Sequence, residues 1–489
     1  MNIFLINVKE RLINSEKYAI LFIFSIASLV RTVPELIAYP YPLGYDVINY
    51  YIPVVTNFDK YWPIISGQFP FYVSLLHVIN NSIGSSLSPH FVVTTFAILT
   101  YGIFAISIFF IGRKILKINM TYSMYLTFFV IFQLTVLRTA WDLHRDLFSL
   151  STMLLLFSII YERKDINNRV VIIASLLLAA ITAISDRMVG LLCVLSLIIY
   201  TITDPKNRLT ILCSLVCTFF FVFSLIQGYG SLHNNTIELL KSSQTITLTS
   251  YNPTNLLILF VVYNGMVTPL GIIGFKLWKN KLLKIPLLIT GIGAFSWIFF
   301  QDVELLVADR WIILFGIFLS IFAGYGIIQL SVKKTTNVTK IMARSFLYIS
   351  IAIGIIYAVM PYDESFVPYD IAGKYIQGFV PLTMQFNALN IYDNDNLIGL
   401  VSWINKNTDP HSLIIGEKHW RGWMEIKLQD ERDYIFSDDV YALYKNIVSK
   451  HSTSFYMITS NGVKLPPETL KNIEMVYSDH IFNLFKINK

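Results

Sequence analysis

The 489-residue chain is 55% hydrophobic and 15% aromatic, and only 14% of its residues are charged. Soluble domains carry about 25% charged residues, so the composition excludes an ordinary soluble protein. A net charge of +7 would indicate nucleic acid binding in a soluble protein, but here the basic residues lie in short loops, where they act as topology signals. We therefore expect a polytopic membrane protein with no nucleic acid partner.

Eleven apolar segments are predicted to span the membrane. The first is of full span length and is not followed by a small-residue cleavage site, so it is predicted to be a span and not a cleaved signal peptide. The predicted spans are residues 18–38, 90–112, 120–137, 147–161, 170–184, 188–203, 209–228, 253–275, 285–300, 311–330 and 345–360.

The connections between these spans alternate in charge. Every second connection is basic, and the pattern rests on Lys9, Arg11, Lys17, Arg113, Lys114, Arg163, Lys164, Lys206, Arg208, Lys279, Lys281, Lys333 and Lys334. The positive-inside rule then predicts a cytoplasmic N-terminus and a C-terminus outside the cytoplasm. The protein is expected in the cell membrane, in contact with membrane lipids.

Acidic residues collect in the opposite, outer connections. They are Asp46, Asp59, Asp142, Asp146, Asp186, Asp302, Glu304 and Asp309. Three of them adjoin an arginine in sequence, as in Arg145-Asp146, Asp186-Arg187 and Asp309-Arg310. Charges at span ends are costly unless they are paired or face a watery cavity, so the cluster predicts a functional site on the outer side. The alternative is a set of ordinary interfacial ion pairs that hold helix ends.

Two outer segments are too polar to span. In residues 40–89, apolar residues such as Val47, Tyr51 and Val54 recur at helical spacing, which predicts amphipathic helices lying on the outer leaflet. Residues 362–489 alternate short strand-like runs with helical ones, so we expect a small extracytoplasmic α/β domain after a transmembrane module of residues 1–361. The strand-like runs are "SLIIG", "DYIFS" and "SFYMITS", and the helical runs are "LIGLVSWINKN" and "DDVYALYKNIVSKH".

Three short motifs resemble the GT-C class of integral-membrane glycosyltransferases. A first span carrying Arg31 leads to "LGYD" (43–46) and a large outer loop, "WDLHRDLFSL" (141–150) precedes the fourth span, and "ADRWIILFGIF" (308–318) begins a late one. The chain departs from the family pattern in having Asp46-Val47 where an Asp-Glu pair is common. It has no WWD-type signature in its C-terminal part, so the closer likeness is to the protein O-mannosyltransferase and aminoarabinose-transferase branch.

The resemblance implies a GT-C-like helical fold and transfer of a sugar from a polyprenyl- or dolichyl-phosphate donor. Such a transfer needs a carboxylate that can take the acceptor's proton, and Asp46 is the candidate catalytic base. It also needs fixed cations for the departing phosphate, and Arg310 is the first candidate, followed by Arg187, Arg145 and Arg138. Supporting roles are assigned to Asp142, Asp146, His144, Arg31 and Tyr45.

Several alternatives stay open at this stage. Asp46 could serve as a helix N-cap, and a divalent metal ion could bridge Asp46, Asp142 and a donor phosphate. No cofactor is otherwise indicated, and the acceptor could be a glycan, a lipid or a protein. His419, Trp420 and Arg421 could contact acceptor sugars or simply pack. A lipid-linked glycan flippase or transporter is the competing function, although the chain shows no inverted repeat.

Overall fold

The computed structural model describes most of the chain. The described residues are 15–66, 69–83, 88–162, 168–242, 253–299, 308–332, 337–361, 383–429, 432–437, 439–450, 455–461 and 473–488. Several residues used in the sequence analysis lie outside these ranges, among them Asp302, Glu304, Lys333 and the first part of the predicted outer domain.

Each predicted span coincides with a helix or with a bent pair of helices. The helices of this part are α1 (Glu16–Ala38), α2 (Ile52–Thr56), α3 (Phe58–Ile65), α4 (Phe71–Ile83), α5 (Pro89–Phe110), α6 (Met120–Ile131), α7 (Leu134–Asp142), α8 (His144–Glu162), α9 (Arg169–Ser185), α10 (Arg187–Thr203), α11 (Arg208–Ser242), α12 (Pro253–Asn264), α13 (Thr268–Leu277), α14 (Lys281–Ala294), α15 (Ala308–Val332) and α16 (Asn337–Val359).

Length and composition identify a multi-pass membrane protein. Among the described residues, six helices are long and apolar enough to cross a membrane, and the bent pairs α6–α7 and α12–α13 bring the number to as many as eight. The predicted spans at 147–161, 170–184 and 188–203 correspond to α8, α9 and α10, which are 17 to 19 residues long. Helices dominate because a bilayer offers no partner for free backbone groups.

Helix α15 runs through the centre of the helical bundle, and 94% of its most apolar window is buried. Glycines let α13 approach it closely: a Cβ on Gly274 would lie 1.8 Å from the Phe322 carbonyl oxygen, and one on Gly326 would lie 2.7 Å from the Leu270 carbonyl oxygen. Small residues at such crossings allow the tight backbone packing that stabilises membrane helices. This packing sets the position of α15 against α13, and the first turn of α15 carries Arg310.

The C-terminal region forms a five-stranded mixed sheet with helices. Its elements are α17 (Asn394–Asn407), β1 (Ile414–Glu417), α18 (Arg421–Lys427), β2 (Tyr434–Ser437), α19 (Val440–Lys450), β3 (Phe455–Ser460), β4 (Ile473–Ser478) and β5 (Phe482–Ile487). The strand order is β2-β1-β3-β5-β4, with β1 parallel to β2 and to β3, and β5 antiparallel to β3 and to β4.

The fold class predicted from the sequence is confirmed: a helical membrane part is followed by a small α/β sheet. The three predicted strands and the two predicted helices of the C-terminal region are present. Strands β4 and β5 were not predicted. Their runs "IEMVYS" and "FNLFKI" contain charged or amide residues that interrupt the apolar pattern, and their pairing with each other and with β3 completes the sheet.

The residues that directly follow Asp46 are buried against the C-terminal region. Val47, Tyr51 and Val54 are buried in one hydrophobic cluster with Trp420 and Trp423 of the C-terminal region. The apolar face of these residues therefore packs against the C-terminal region, called the sheet domain below. Further along the segment, Trp62, Val78 and Ile83 are exposed, and contact of the later helices with the outer leaflet stays a prediction. The same cluster joins the C-terminal region to the residues that directly follow Asp46.

Candidate active site

Three chain segments meet at the end of the helical bundle that packs against the sheet domain. They are the turn that ends in Asp46, the junction between α7 and α8 that carries Asp142 and Asp146, and the first turn of α15 with Arg310. A π-helical turn, Val47–Tyr51, begins directly after Asp46. Such turns are frequent at functional sites.

Arg310 lies between two carboxylates. Its Nη2 is 3.9 Å from Asp46 Oδ2, and its Nη1 is 4.0 Å from Asp146 Oδ1. The side chains of Arg310 and Asp46 are 29% and 27% exposed, whereas that of Asp146 is 2% exposed. The Arg310 and Asp46 side chains are therefore partly exposed, and among the described residues neither forms a short ion pair.

Both carboxylate oxygens of Asp142 accept a hydrogen bond. The backbone N–H of Asp46 donates to Asp142 Oδ1, and Arg138 Nη1 donates to Asp142 Oδ2 at 3.3 Å. The Arg138 guanidinium also lies 4.6 Å from the centre of the Trp141 ring. The side chains of Arg138 and Asp142 are both buried. Asp142 thus holds the backbone of Asp46, and Arg138 neutralises Asp142.

The capping alternative for Asp46 is wrong. Asp46 stands at the N-cap position of the π-helical turn, but its side chain makes no capping hydrogen bond. Its backbone N–H is the group that is held, through Asp142. The carboxylate is consequently available to Arg310.

Arg145 and His144 contact the tyrosines of the π-helical turn. The Arg145 guanidinium lies 5.1 Å from the centre of the Tyr50 ring, and its backbone N–H donates to the Tyr51 hydroxyl at 3.3 Å. The buried His144 ring stacks on Tyr51 with 5.2 Å between ring centres. These contacts hold the π-helical turn after Asp46 against the start of α8.

Arg31 has a structural position. It is buried in α1, its Nη2 lies 2.6 Å from Glu35 Oε1, and its Nε donates to the carbonyl oxygen of Ala140 at 3.0 Å. The side chain therefore joins α1 to α7, close to Trp141 and Asp142. Glu35 was not among the residues singled out in the sequence, although its i,i+4 spacing from Arg31 is a signal for the pair.

Arg187 is not brought into the cluster by any ion pair among the described residues. It is exposed at the start of α10. The preceding residue, Asp186, is buried and accepts from the backbone N–H groups of Met188 and Val189, both at 2.9 Å. Asp186 is thus the N-cap of α10.

Hydrogen bonds to the buried segment Phe386-Asn387 hold the turn before Asp46. Gly44 has φ +98, and both its N–H (3.1 Å) and the Trp141 indole N–H (2.9 Å) donate to the carbonyl oxygen of Phe386. The Asn387 amide donates to the Pro42 carbonyl oxygen at 2.9 Å. A positive φ favours glycine, so the glycine at position 44 was the one sequence signal for this arrangement. Phe386 and Asn387 belong to no motif.

The side chains do not fit a metal site built from protein ligands. No group of three or more His, Cys, Asp or Glu residues suited to a metal is present in the described part of the chain. Asp142 already accepts from two donors, and Asp46 faces Arg310. A divalent cation that bridges Asp46, Asp142 and a donor phosphate would instead take most of its oxygen ligands from the phosphate and from water, as Mg²⁺ commonly does.

The comparisons with known proteins establish the fold. No protein-family model matches the chain, and no curated protein sequence matches it. The chain is similar to the crystal structure of ArnT from Cupriavidus metallidurans bound to undecaprenyl phosphate, with 12% identity, a TM-score of 0.56, and coverage of 96% of this chain and 98% of that one. It is also similar to ArnT from the same organism in the apo state, with 12% identity, a TM-score of 0.54, and coverage of 95% and 97%.

ArnT is an aminoarabinose transferase of the GT-C class. The likeness extends over almost the entire length of both chains, so the GT-C-like fold implied by the short motifs is confirmed. At 12% identity the likeness shows the fold alone.

Proposed function

We propose that this protein is a membrane glycosyltransferase that moves a sugar from a polyprenyl- or dolichyl-phosphate donor to an acceptor at the outer face of the membrane. The observation that carries the proposal is the open pair of Asp46 and Arg310, which places a carboxylate and a guanidinium 3.9 Å apart and partly exposed. The fold shared with a protein crystallised with undecaprenyl phosphate supports a donor of that lipid class.

Asp46 is the proposed general base. An acceptor hydroxyl gives its proton to the carboxylate as its oxygen forms a bond to the anomeric carbon of the donor sugar. The bond between that carbon and the phosphate oxygen breaks at the same time, and the lipid phosphate leaves with the electron pair. The base must be reachable by the acceptor, which the partial exposure of Asp46 permits.

Arg310 is the proposed anchor for the departing phosphate. Charge grows on the phosphate as the sugar leaves, and a guanidinium can meet two phosphate oxygens at once. Arg310 also stands in the first turn of α15, where the helix dipole favours an anion. Asp146 on its other side keeps the guanidinium oriented towards Asp46.

The proposal is tested with purified protein and a synthetic polyprenyl-phosphate sugar. Release of the free lipid phosphate and labelling of an added acceptor mixture are both measured. Transfer that requires the protein supports the proposal. Movement of the intact donor across a proteoliposome bilayer, with no lipid phosphate released, would indicate the flippase instead.

The proposal also requires the site to face outwards. We expect Lys406→Cys, on the exposed side of α17, to react with an impermeant thiol reagent in intact cells. Lys279→Cys, in a basic connection, should react only after lysis. The three native cysteines are buried and give a low background. The opposite labelling pattern would place the site in the cytoplasm and contradict the proposal.

A further inference from the structure

Helix α18 of the sheet domain packs directly on the residues that follow Asp46. Gly422, in its first turn, makes the closest approach: a Cβ there would lie 2.0 Å from the Ile48 carbonyl oxygen and 2.8 Å from Asn49 Cα. No side chain fits at such distances, so the contact depends on glycine. The sheet domain therefore touches the backbone of the π-helical turn itself.

Asn49 connects this contact to the peptide group before Asp46. The Gly422 N–H donates to Asn49 Oδ1 at 2.8 Å, and Asn49 Nδ2 donates to the Tyr45 carbonyl oxygen at 3.3 Å. The N–H of the same peptide group, which belongs to Asp46, donates to Asp142. The peptide plane between Tyr45 and Asp46 is thus held from both sides, once by the helical bundle and once by the sheet domain through Asn49.

Other contacts bring the two parts together around this point. The His419 ring meets the Tyr45 ring edge-on, with 5.9 Å between ring centres, and Trp423 meets Tyr41 in the same way at 6.1 Å. The Tyr61 hydroxyl is hydrogen-bonded to Glu425. Burial, reinforced by this bond, raises the pKa of Tyr61, so the phenol stays protonated and donates.

We propose that the sheet domain is part of the catalytic machinery: its docking through Gly422 orients Asp46, and Asn49 is the positioning residue that transmits this orientation. The inference rests on the proposed function, because it assigns the domain a role in the same transfer. Its physical basis is that turning the Tyr45–Asp46 peptide plane would swing the Asp46 carboxylate away from the acceptor. A displacement of about 1 Å at a reacting group can cost on the order of 10²-fold in rate.

The matched variants are Gly422→Ala and Gly399→Ala. Both glycines lie in helices of the sheet domain, but a Cβ on Gly399 would meet only the Tyr477 hydroxyl, at an ordinary 3.6 Å. We expect Gly422→Ala to lower kcat by about 10²-fold while the KM for the lipid donor stays within about twofold, because Arg310 is untouched. Gly399→Ala should behave as wild type. Asn49→Leu, which has a similar size and neither hydrogen bond, should reproduce the loss in kcat.

Two double variants separate positioning from general damage. Gly422→Ala and Asn49→Leu disrupt the same contact between the sheet domain and the turn after Asp46. The loss of kcat in the double variant should therefore be close to that of either single variant and not the product of the two. In an Asp46→Asn protein, Gly422→Ala should cause no further loss, since the group it positions is already absent. A further loss there, or additive losses, would assign the contact a purely structural role and overturn the inference.

The outcomes also separate this inference from the proposed function. If wild-type protein shows no transfer, the proposed function fails. If wild-type transfer is present and Gly422→Ala retains it, only the inference fails. Should Gly422→Ala not yield folded protein, Asn49→Leu decides alone, with monodisperse elution and undecaprenyl phosphate binding as its controls: normal kcat in that variant overturns the inference.

Discussion

Two kinds of arginine–carboxylate pair lie at the end of the helical bundle that carries the candidate site. Arg31–Glu35 and Arg138–Asp142 are short pairs of 2.6 and 3.3 Å within single helices, and their side chains are almost completely buried. Arg310–Asp46 joins distant parts of the chain at 3.9 Å, and both of its side chains are more than a quarter exposed. In each short pair the two residues neutralise each other's charge, whereas the open pair leaves both residues able to meet a ligand.

The difference indicates how one bundle separates stability from function. A buried charge needs a close partner, because leaving it unpaired is strongly unfavourable. A catalytic charge must instead keep part of its hydrogen-bonding capacity for the substrate. The variants below test whether the open pair carries the transfer and the buried pairs carry the fold.

Asp46→Asn is expected to have the largest effect. It keeps the size of the side chain and removes the base, so transfer should fall by about 10²–10⁴-fold while the protein still elutes as a monodisperse peak. Asp59→Asn, an exposed residue of the same outer segment, is the matched control and should transfer normally. Near-normal transfer by Asp46→Asn would move the search for the base to Asp146.

Arg310→Ala should come second. Removal of a group that stabilises developing charge typically costs about 10²–10³-fold in kcat. Arg310→Lys keeps the charge but loses the planar fork, so we expect a smaller but clear loss, measured at limiting donor. If Arg310→Ala turns over like wild type, the phosphate must be held elsewhere, with Arg145 the next candidate.

Glu35→Gln should act on stability and not on chemistry. It leaves Arg31 buried without its counter-charge, which typically costs about 3–5 kcal/mol, so the melting temperature in detergent should fall clearly. Turnover per folded molecule should change little. Glu162→Gln breaks the exposed Lys114–Glu162 pair and should cost less than about 1 kcal/mol. Equal melting temperatures for the two variants would contradict the distinction between buried and exposed pairs.

Arg187→Ala should have the smallest effect. The side chain is exposed and forms no ion pair among the described residues, and such surface substitutions usually change the free energy of unfolding by no more than about 0.5 kcal/mol. We therefore expect folded protein whose kcat and donor KM are close to those of wild type. Donor KM and kcat are the measurements. A large rise in donor KM would restore Arg187 as a phosphate ligand, as the sequence first suggested.

The sequence identified the candidate site residues, but it did not show which of them contact each other. Asp46, Asp142, Asp146 and Arg310 were singled out because charges near span ends are rare and costly. Nothing in the sequence indicated that Asp142 binds the Asp46 backbone while Asp146 faces Arg310. The two acids have similar surroundings in sequence, and only the break between α7 and α8 turns them in different directions.

The contact between Asn49 and Gly422 could not be predicted from the sequence, for a related reason. One asparagine and one glycine, far apart in the chain, form no motif, and their pairing depends on how the sheet domain docks. The outer helices show the same limit. Their apolar spacing predicted the helices correctly, but it could not distinguish burial against protein from burial against lipid, because both favour the same side chains.

The sequence by itself determined that this is a helical multi-pass protein with a small α/β domain, because a bilayer admits only structures that satisfy their own backbone groups and because apolar periodicity is local. It also determined that acids and arginines gather at the same ends of the spans. The tertiary structure decided which charges are closed pairs and which pair stays open, and it brought the sheet domain onto the turn of Asp46. Those relations join residues from distant parts of the chain, and their geometry exists only once the helices have packed.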